Sequence, residues 1–480
     1  MSKRPLKRRL LELGSRDGQR ASLSETASAQ QNVPSSSTAS TRSLPTSTIP
    51  TLTTLCGRAF AANFAKLRSN PAWEYKISND LRAIPDPLIP KLFTMLRASC
   101  PTFLNHEFIV TYLLRGPSLV LRGDLPGVNR STVSSISRFN PGIQELELSG
   151  FANIPDKGFA SLIRHLSSLR ILNLCGSVKV GSETIKAAAT TCPNLRTVNL
   201  NYTSVTPTSL VPLITECPHI EILKLGGVQN WTDSTFSNFI SGVGEDLRRP
   251  TLRTLKLRQT SLSDNSICFL LVLYPGLQRF DISFTHIRHP TILLSPSTIP
   301  ALQKLSLTST PVSGPNLVKI ISLLPQLRTL GLGALGSSGG SRISVGNNSA
   351  MTMTDSHLRD LTTILETFTF LESINLVGNT KLGTKSDTQS SLSYFISRVG
   401  RKCKKLNLAG IPWLQSADLA GLAPADYNVD ASRLETLILN NTGIDDEAGV
   451  YISSCPSLAS LGLAGTKITS ITITYCEYND

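Results

Sequence analysis

The residues able to do chemistry are few and poorly grouped. The six histidines are His106, His165, His219, His286, His289 and His357. His286 and His289 are close in sequence, yet no cysteine or carboxylate pair stands near them at zinc-ligand spacing. The segment Gly378-Asn379-Thr380-Lys381-Leu382-Gly383-Thr384-Lys385-Ser386 nearly spells a phosphate loop, but Thr384 separates the glycine from the lysine, and it reads instead as a loop. Nine cysteines show neither paired metal-ligand spacing nor an accompanying secretory signal; they read as reduced, buried, small apolar residues in an intracellular chain. These residues predict a non-catalytic chain without metal or cofactor. What remains is recognition chemistry: Asn173, Asn199, Asn201, Lys224, Lys256, Arg258 and Asp281 recur at regular distances. Lys224, Lys256 and Arg258 make a basic group flanked by asparagines, suited to an acidic peptide, a phosphorylated segment or a nucleic-acid phosphate.

The elements that must position these side chains follow from a repeat. An apolar residue, two of any type, then apolar-x-apolar recurs from Ile143, Leu169, Leu195, Ile220, Leu252, Leu277, Leu302, Leu327, Leu371, Cys403, Leu434 and Leu458. Seven of the eleven spacings are 24 to 26 residues, and the others, of 32, 44, 32 and 31, are that period plus an insertion. The apolar-x-apolar step has the two-residue period of a strand whose outer pair points inward. The intervening residue then faces out, which places Glu145, Glu147, Asn375, Asn407 and Asn440 on the same surface as the seven polar residues above. Segments such as Leu210-Val211-Pro212-Leu213-Ile214 and Ile267-Cys268-Phe269-Leu270-Leu271 suit short helices on the opposite side. Leu119 and Leu121 lie 27 residues before Leu146 and Leu148 and predict a degenerate capping unit. The expected fold is an α/β solenoid, a horseshoe with parallel strands on the concave face and helices on the convex face, in which neighbours bury what no unit buries alone. The insertion at 336–356 is open to two readings, a flexible loop gating one rim of the strand face and a disordered excursion.

The wording of the repeats is specific. Cys192-Pro193, Cys217-Pro218 and Cys455-Pro456 share one phase, and Cys175 follows a strand. This resembles the cysteine-containing, RNI-like subtype of leucine-rich repeats, found in many F-box proteins, in the yeast antagonist of mitotic exit and in a yeast nucleotide-excision-repair protein. The resemblance spans about 340 residues. It implies a binding scaffold.

Three stretches divide the chain: 1–50, 51–116 and 117–480. Net charge is +14, part of it concentrated at the start in Lys3, Arg4, Lys7, Arg8, Arg9, Arg16 and Arg20 against Glu12 and Asp17. Lys-Arg-Pro-Leu-Lys-Arg-Arg looks like a nuclear-import signal, and the Ser/Thr-rich residues after it lack the apolar content to fold, so the tail is expected to be disordered. A mitochondrial presequence and a nonspecific nucleic-acid arm are the rival readings of the tail. No apolar run is long enough to cross a membrane as a helix, and the chain is placed in the nucleus, the cytoplasm or both.

In the second stretch, Leu52, Leu55, Cys56, Phe60, Phe64 and Leu67 fall at steps of three and four, an amphipathic helix with Thr51 available as N-cap. Thr-Leu, three residues, Cys, three residues, Phe resembles the BC-box that docks onto elongin C. That resemblance gives Leu52 a pocket-filling role and makes Cys56 the small residue permitting close approach. Downstream, Ile84, Pro85, Leu88 and Leu92 match the cullin box that follows a BC-box. The same residues, extended through Phe93 and Leu96, resemble the opening of an F-box, which binds a Skp-type adaptor; the tryptophan of that motif has no counterpart in 99–121. Pro87 and Pro90 are tolerable only in a first helical turn. A third alternative is that the helix simply covers the open end of the repeats. The reading that joins these features is a substrate-recognition subunit of a cullin-RING ubiquitin ligase: an adaptor at 51–116 and a protein target on the strand face, which suits an acidic or phosphorylated segment. The alternative is a nuclear chromatin or DNA-repair binding protein without a ligase partner.

Overall fold

The computed structural model describes residues 42–43, 50–244, 247–289, 301–334, 353–384, 390–423 and 431–470. The chain divides into two units after Thr38, and every described residue belongs to the second of them. The basic tail, its import-like signal and nearly all of the 336–356 insertion lie outside the described residues.

Among the described residues, thirteen parallel strands, from Ser118–Arg122 through Ser460–Gly462, lie in strict sequence order in one sheet, and the pair Arg42–Ser43 adds antiparallel to the last. This is a leucine-rich-repeat solenoid. Register holds throughout: Leu119 pairs with Leu146 and Leu121 with Leu148, then Leu146 with Leu172, Leu172 with Val198 and Val198 with Leu223. Every first apolar position from Ile143 to Leu434 is buried, whereas Leu458 in the final unit is only partly so. Each strand and the residue that follows it place two apolar side chains in the core, as Leu172 and Leu174 do, and burying each contributes roughly 1.5–3 kcal/mol.

The helices lie on the other side. Pro207–Glu216 buries Leu210, Leu213 and Ile214 and starts with a reciprocal cap between Thr206 and Ser209; Asp264–Leu273 buries Ile267, Leu270 and Leu271. Several helices whose own N-cap contributes no side-chain hydrogen bond draw one from the preceding coil. Asp156 accepts from the backbone N–H groups of Gly181, Glu183 and Thr184 at 2.9–3.1 Å and from the Thr184 hydroxyl, capping Ser182–Thr191. Asp233 does the same for Ser263 and Ser266; Asp355 likewise accepts from Gly383 and Ser391, at the start of a helix that also has its own cap in Ser390. A carboxylate also complements the positive end of the helix it reaches.

A second periodic feature closes most of the strands. Two residues after the second core leucine the backbone turns left-handed, with glycine at Gly150, Gly176, Gly227, Gly378, Gly410 and Gly465. Tyr202, Gln259, Phe284, Ser309 and Asn441 occupy the same phase with φ of 54–58°. A non-glycine residue held there costs about 1–2 kcal/mol, and the ladder holds it: the Tyr202, Gln259 and Phe284 N–H groups donate to Gly226, Ser283 and Thr308 carbonyls at 2.8–2.9 Å.

Residues 51–116 form a helical lid on the first strand. Helix Leu52–Arg68 has Thr51 as N-cap, its hydroxyl accepting from the Thr54 N–H. Helix Ile89–Ser99 packs against it and carries Pro90 in its first turn, while Pro87 sits in the turn Asp86–Leu88. Both prolines thus stand where their missing N–H would be unused. Phe64 is fully buried and meets Trp73, Phe103 and Phe108 edge-on at ring separations of 5.3–5.8 Å.

Candidate functional site

Two surfaces carry the residues singled out by sequence. The first is the outer face of Leu52–Arg68. Leu52 is 75% exposed, Leu55 46%, and Cys56 is exposed, while Phe60 is half-buried against Phe64. The Lys91 ammonium donates to the buried Thr54 hydroxyl at 2.5 Å. This brings the first turn of Ile89–Ser99 against the first turn of Leu52–Arg68, with Leu88, 38% exposed, in the turn just before. The helix is therefore two-faced: Ala61 and Phe64 anchor it in the core, and Leu52, Leu55 and Cys56 face out. The cullin-box-like residues do not share one surface. Pro85 is exposed and Ile84 partly buried, but Leu92 is 7% exposed and belongs to the core with Phe93 and Leu96.

The cysteines need a correction. Cys192, Cys217 and Cys403 are buried as expected, and burial pushes their thiols up to about 12, 11 and 12. Cys56 is exposed, and Cys175 and Cys268 are half-buried. Cys56 stands on an outward helix face with no second layer above it, and Cys175 follows a strand on the open face.

The second surface is the strand face. Asn173 and Asn199 turn back on their own chain, each carbonyl oxygen accepting from the backbone N–H two residues on, at 3.1 and 3.2 Å; Asp281 does so at 3.1 Å, and Asn375 and Asn407 at 3.0 Å. Asn201 and Asn440 are buried, and their side chains accept from Gly226 and Ala464 of the following coil at 2.7 and 2.8 Å. These asparagines, expected to face a target, first of all satisfy backbone at the strand ends. Lys224 and Lys256 break that pattern. They occupy the asparagine column, lie directly opposite each other in register, and are half-exposed. Burial holds the Lys224 ammonium below its ordinary range, with Lys256 acting in the same direction. Arg258 is only 8% exposed; its guanidinium lies 5.9 Å over the Phe284 ring.

Sequence reasoning missed the left-handed column. Tyr202 lays its ring over Gly227 and its hydroxyl donates to the Gln259 side chain at 2.8 Å, while the Arg258 stem lies against Gly226. A Cβ at Gly227 would stand 2.3 Å from the Tyr202 ring and one at Gly226 2.6 Å from Arg258 Cγ, so the two glycines make the floor on which these side chains rest. The signal was present as glycine at one phase of the repeat, with bulky residues substituted in it.

Elsewhere an open depression of about 360 Å³ on the rim is lined by Arg196, His219, Glu221, Pro250, Thr251 and Arg253; the Glu221 carboxylate is engaged by Arg196 at 3.3 Å. Among the described residues no group of three or more histidine, cysteine, aspartate or glutamate side chains could hold a metal ion, and no helix is long and apolar enough to cross a membrane. His286 and His289 are exposed, and of the phosphate-loop-like segment, residues 385 and 386 lie outside the described residues.

Comparison with known proteins agrees with the repeat reading. A family model described as FBD-associated F-box protein At5g56370, LRR repeats, matches residues 136–238. The fold is similar to that of an internalin from Listeria monocytogenes, 16% identical with a TM-score of 0.41, covering 74% of this chain and 89% of that one. It is similar also to the crystal structure of the Rad7 and Elc1 complex in yeast, 15% identical with a TM-score of 0.43, covering 86% and 92%. No curated protein matches the chain.

Proposed function

We propose that the chain is a non-catalytic substrate receptor, recruiting an elongin-C-type or Skp-type adaptor and its cullin through residues 51–116 and holding a protein target on the strand face. The observation that carries this reading is the exposed apolar stripe Leu52, Leu55 and Cys56 on a helix anchored by its other face. A helix that served only as a lid would have no use for a leucine 75% exposed in its first turn. Large exposed apolar side chains beside one another, with Leu88 at the same end, mark a docking site. The helix-in-groove mode uses this spacing of anchors. The match of the repeats to a model from an F-box-associated protein supports the same reading. Ubiquitin transfer would be performed by a separate enzyme, this chain raising the local concentration of the target.

The test mixes the full chain with purified elongin C and, separately, with a purified Skp-type adaptor, and follows co-elution on size exclusion. One of the two should co-elute with the wild-type chain and be lost from a Leu52→Asp, Cys56→Asp variant whose circular dichroism and melting are unchanged. Absence of both from the wild-type peak, or retention by the variant, overturns the reading.

A further inference from the structure

We infer that the target contributes a short, extended acidic segment, gripped across the third to sixth repeats by Lys224 and Lys256 and bordered by the Tyr202–Gln259 and Arg258–Phe284 pairs. The inference rests on the reading of the chain as a receptor but not on its adaptor.

Three independent features coincide in these adjacent coils, and each is locally unfavourable. Lys224 and Lys256 face each other in register on neighbouring strands, about 4.8 Å apart, where like charges oppose pairing. They also occupy the column in which Asn173, Asn199, Asp281, Asn375 and Asn407 satisfy backbone at the strand end. Finally, Tyr202, Gln259 and Phe284 hold left-handed backbone that glycine takes in the two preceding repeats at Gly150 and Gly176 and, between Tyr202 and Gln259, at Gly227. Concentrated departures from what stability favours are expected where a surface has been shaped for a ligand.

The chemistry of the ligand follows from charge and extent. The lysine pair is bounded along its column by Glu147 on one side, in the first repeat, and by Asp281 on the other, in the sixth. Lys304 adds a third ammonium within electrostatic range of Lys256 and Asp281. Five strand spacings separate the two bounding carboxylates, roughly 24 Å. A nucleic-acid strand, with a charge at every residue, would run over both carboxylates. A peptide with one or two acidic side chains fits between them, and its apolar neighbours can rest on the Tyr202 and Phe284 rings.

A random twelve-residue phage-displayed library, selected on the full chain, tests this. Peptides chosen by the wild-type chain should be enriched in Asp and Glu. Synthetic peptides from that pool should lose about tenfold in affinity with Lys224→Met and about tenfold with Lys256→Met, while both variants melt no lower than wild type. The Leu52→Asp, Cys56→Asp variant should select the same pool, so failure of the adaptor leaves this result intact. Pools without acidic enrichment, acidic peptides held equally by the methionine variants, or tighter binding of a twenty-nucleotide oligo-dT than of any selected peptide would each overturn the inference.

Discussion

Asp156 shows how a single side chain ties one coil to the next. Its carboxylate accepts from three backbone N–H groups and one hydroxyl at the start of a helix that has Gly181, with no side chain, as its own N-cap. Asp156→Ala removes all four acceptor interactions and should cost about 1–3 kcal/mol in a urea titration, with Asp156→Asn recovering part. Asp233 provides the pH-dependent counterpart. Burial opposes its charged form, but hydrogen bonds from Ser263 and Ser266 outweigh that, and its pKa lies below the ordinary carboxylate value. The unfolded chain therefore binds its proton at a higher pH than the folded chain does. The stabilisation is complete above the unfolded pKa near ~3.9 and is lost as pH falls through the folded value. The difference in melting temperature between wild type and Asp233→Ala should thus be constant near neutrality and shrink at acid pH; a difference independent of pH down to the acid limit would refute the assignment. Neither role was legible in the sequence, because an aspartate at the start of one helix gives no local sign that its acceptors serve the next helix, more than 20 residues on. The strand-face asparagines mislead in the opposite way. Their phase in the repeat is plain, but whether Asn199 reaches outward or back to the Asn201 N–H depends on a side-chain rotation that residue type does not set.

At the scale of an element, helix Leu52–Arg68 divides into an inner and an outer face that the three- and four-residue spacing alone could not separate. That spacing puts Leu52, Leu55, Cys56, Phe60, Phe64 and Leu67 on one apolar stripe, yet only Phe64 is fully buried. The lid it belongs to covers Thr54 in the first turn but leaves Leu52 and Leu55 open, and in the next turn Gly57 approaches Met95 closely enough that a Cβ would stand 2.6 Å from its sulfur. The two faces should respond differently to substitution. Phe64→Ala empties the centre of a ring cluster with Trp73, Phe103 and Phe108 and should cost about 3–5 kcal/mol. Leu52→Asp changes an exposed position and should stay within about 0.5 kcal/mol. Equilibrium urea unfolding of both variants decides the matter: equal, large losses would mean that Leu52 is packed in solution, and the outer face would no longer be available to an adaptor.

The stack of repeats is nearly one-dimensional, and for that reason its fold was so fully legible in the sequence. Each of the parallel strands pairs, within that set, only with its neighbours in chain order, so a period read along the chain translates directly into position along the stack. What the period could not disclose was the surface, where the columns depart from it at Lys224, Lys256, Tyr202 and Phe284. The same geometry governs stability, since a repeat array is held by the sum of its units and the interfaces between neighbours. An interior leucine such as Leu200, fully buried between coils on both sides, should cost about 2–5 kcal/mol on replacement by alanine and weaken the array around it. In the final described coil, Leu458, Leu461 and Leu463 are only partly buried. Leu461→Ala should therefore lose less and act locally. Native-state hydrogen exchange separates the two cases: in the wild-type chain, amides of 434–469 should open at lower free energy than those of 195–260. Leu461→Ala should accelerate only the former, and Leu200→Ala should accelerate exchange on both sides of its own repeat. Uniform acceleration along the chain by Leu461→Ala would show that the stack unfolds as one cooperative body, and the nearest-neighbour description would then fail for this protein.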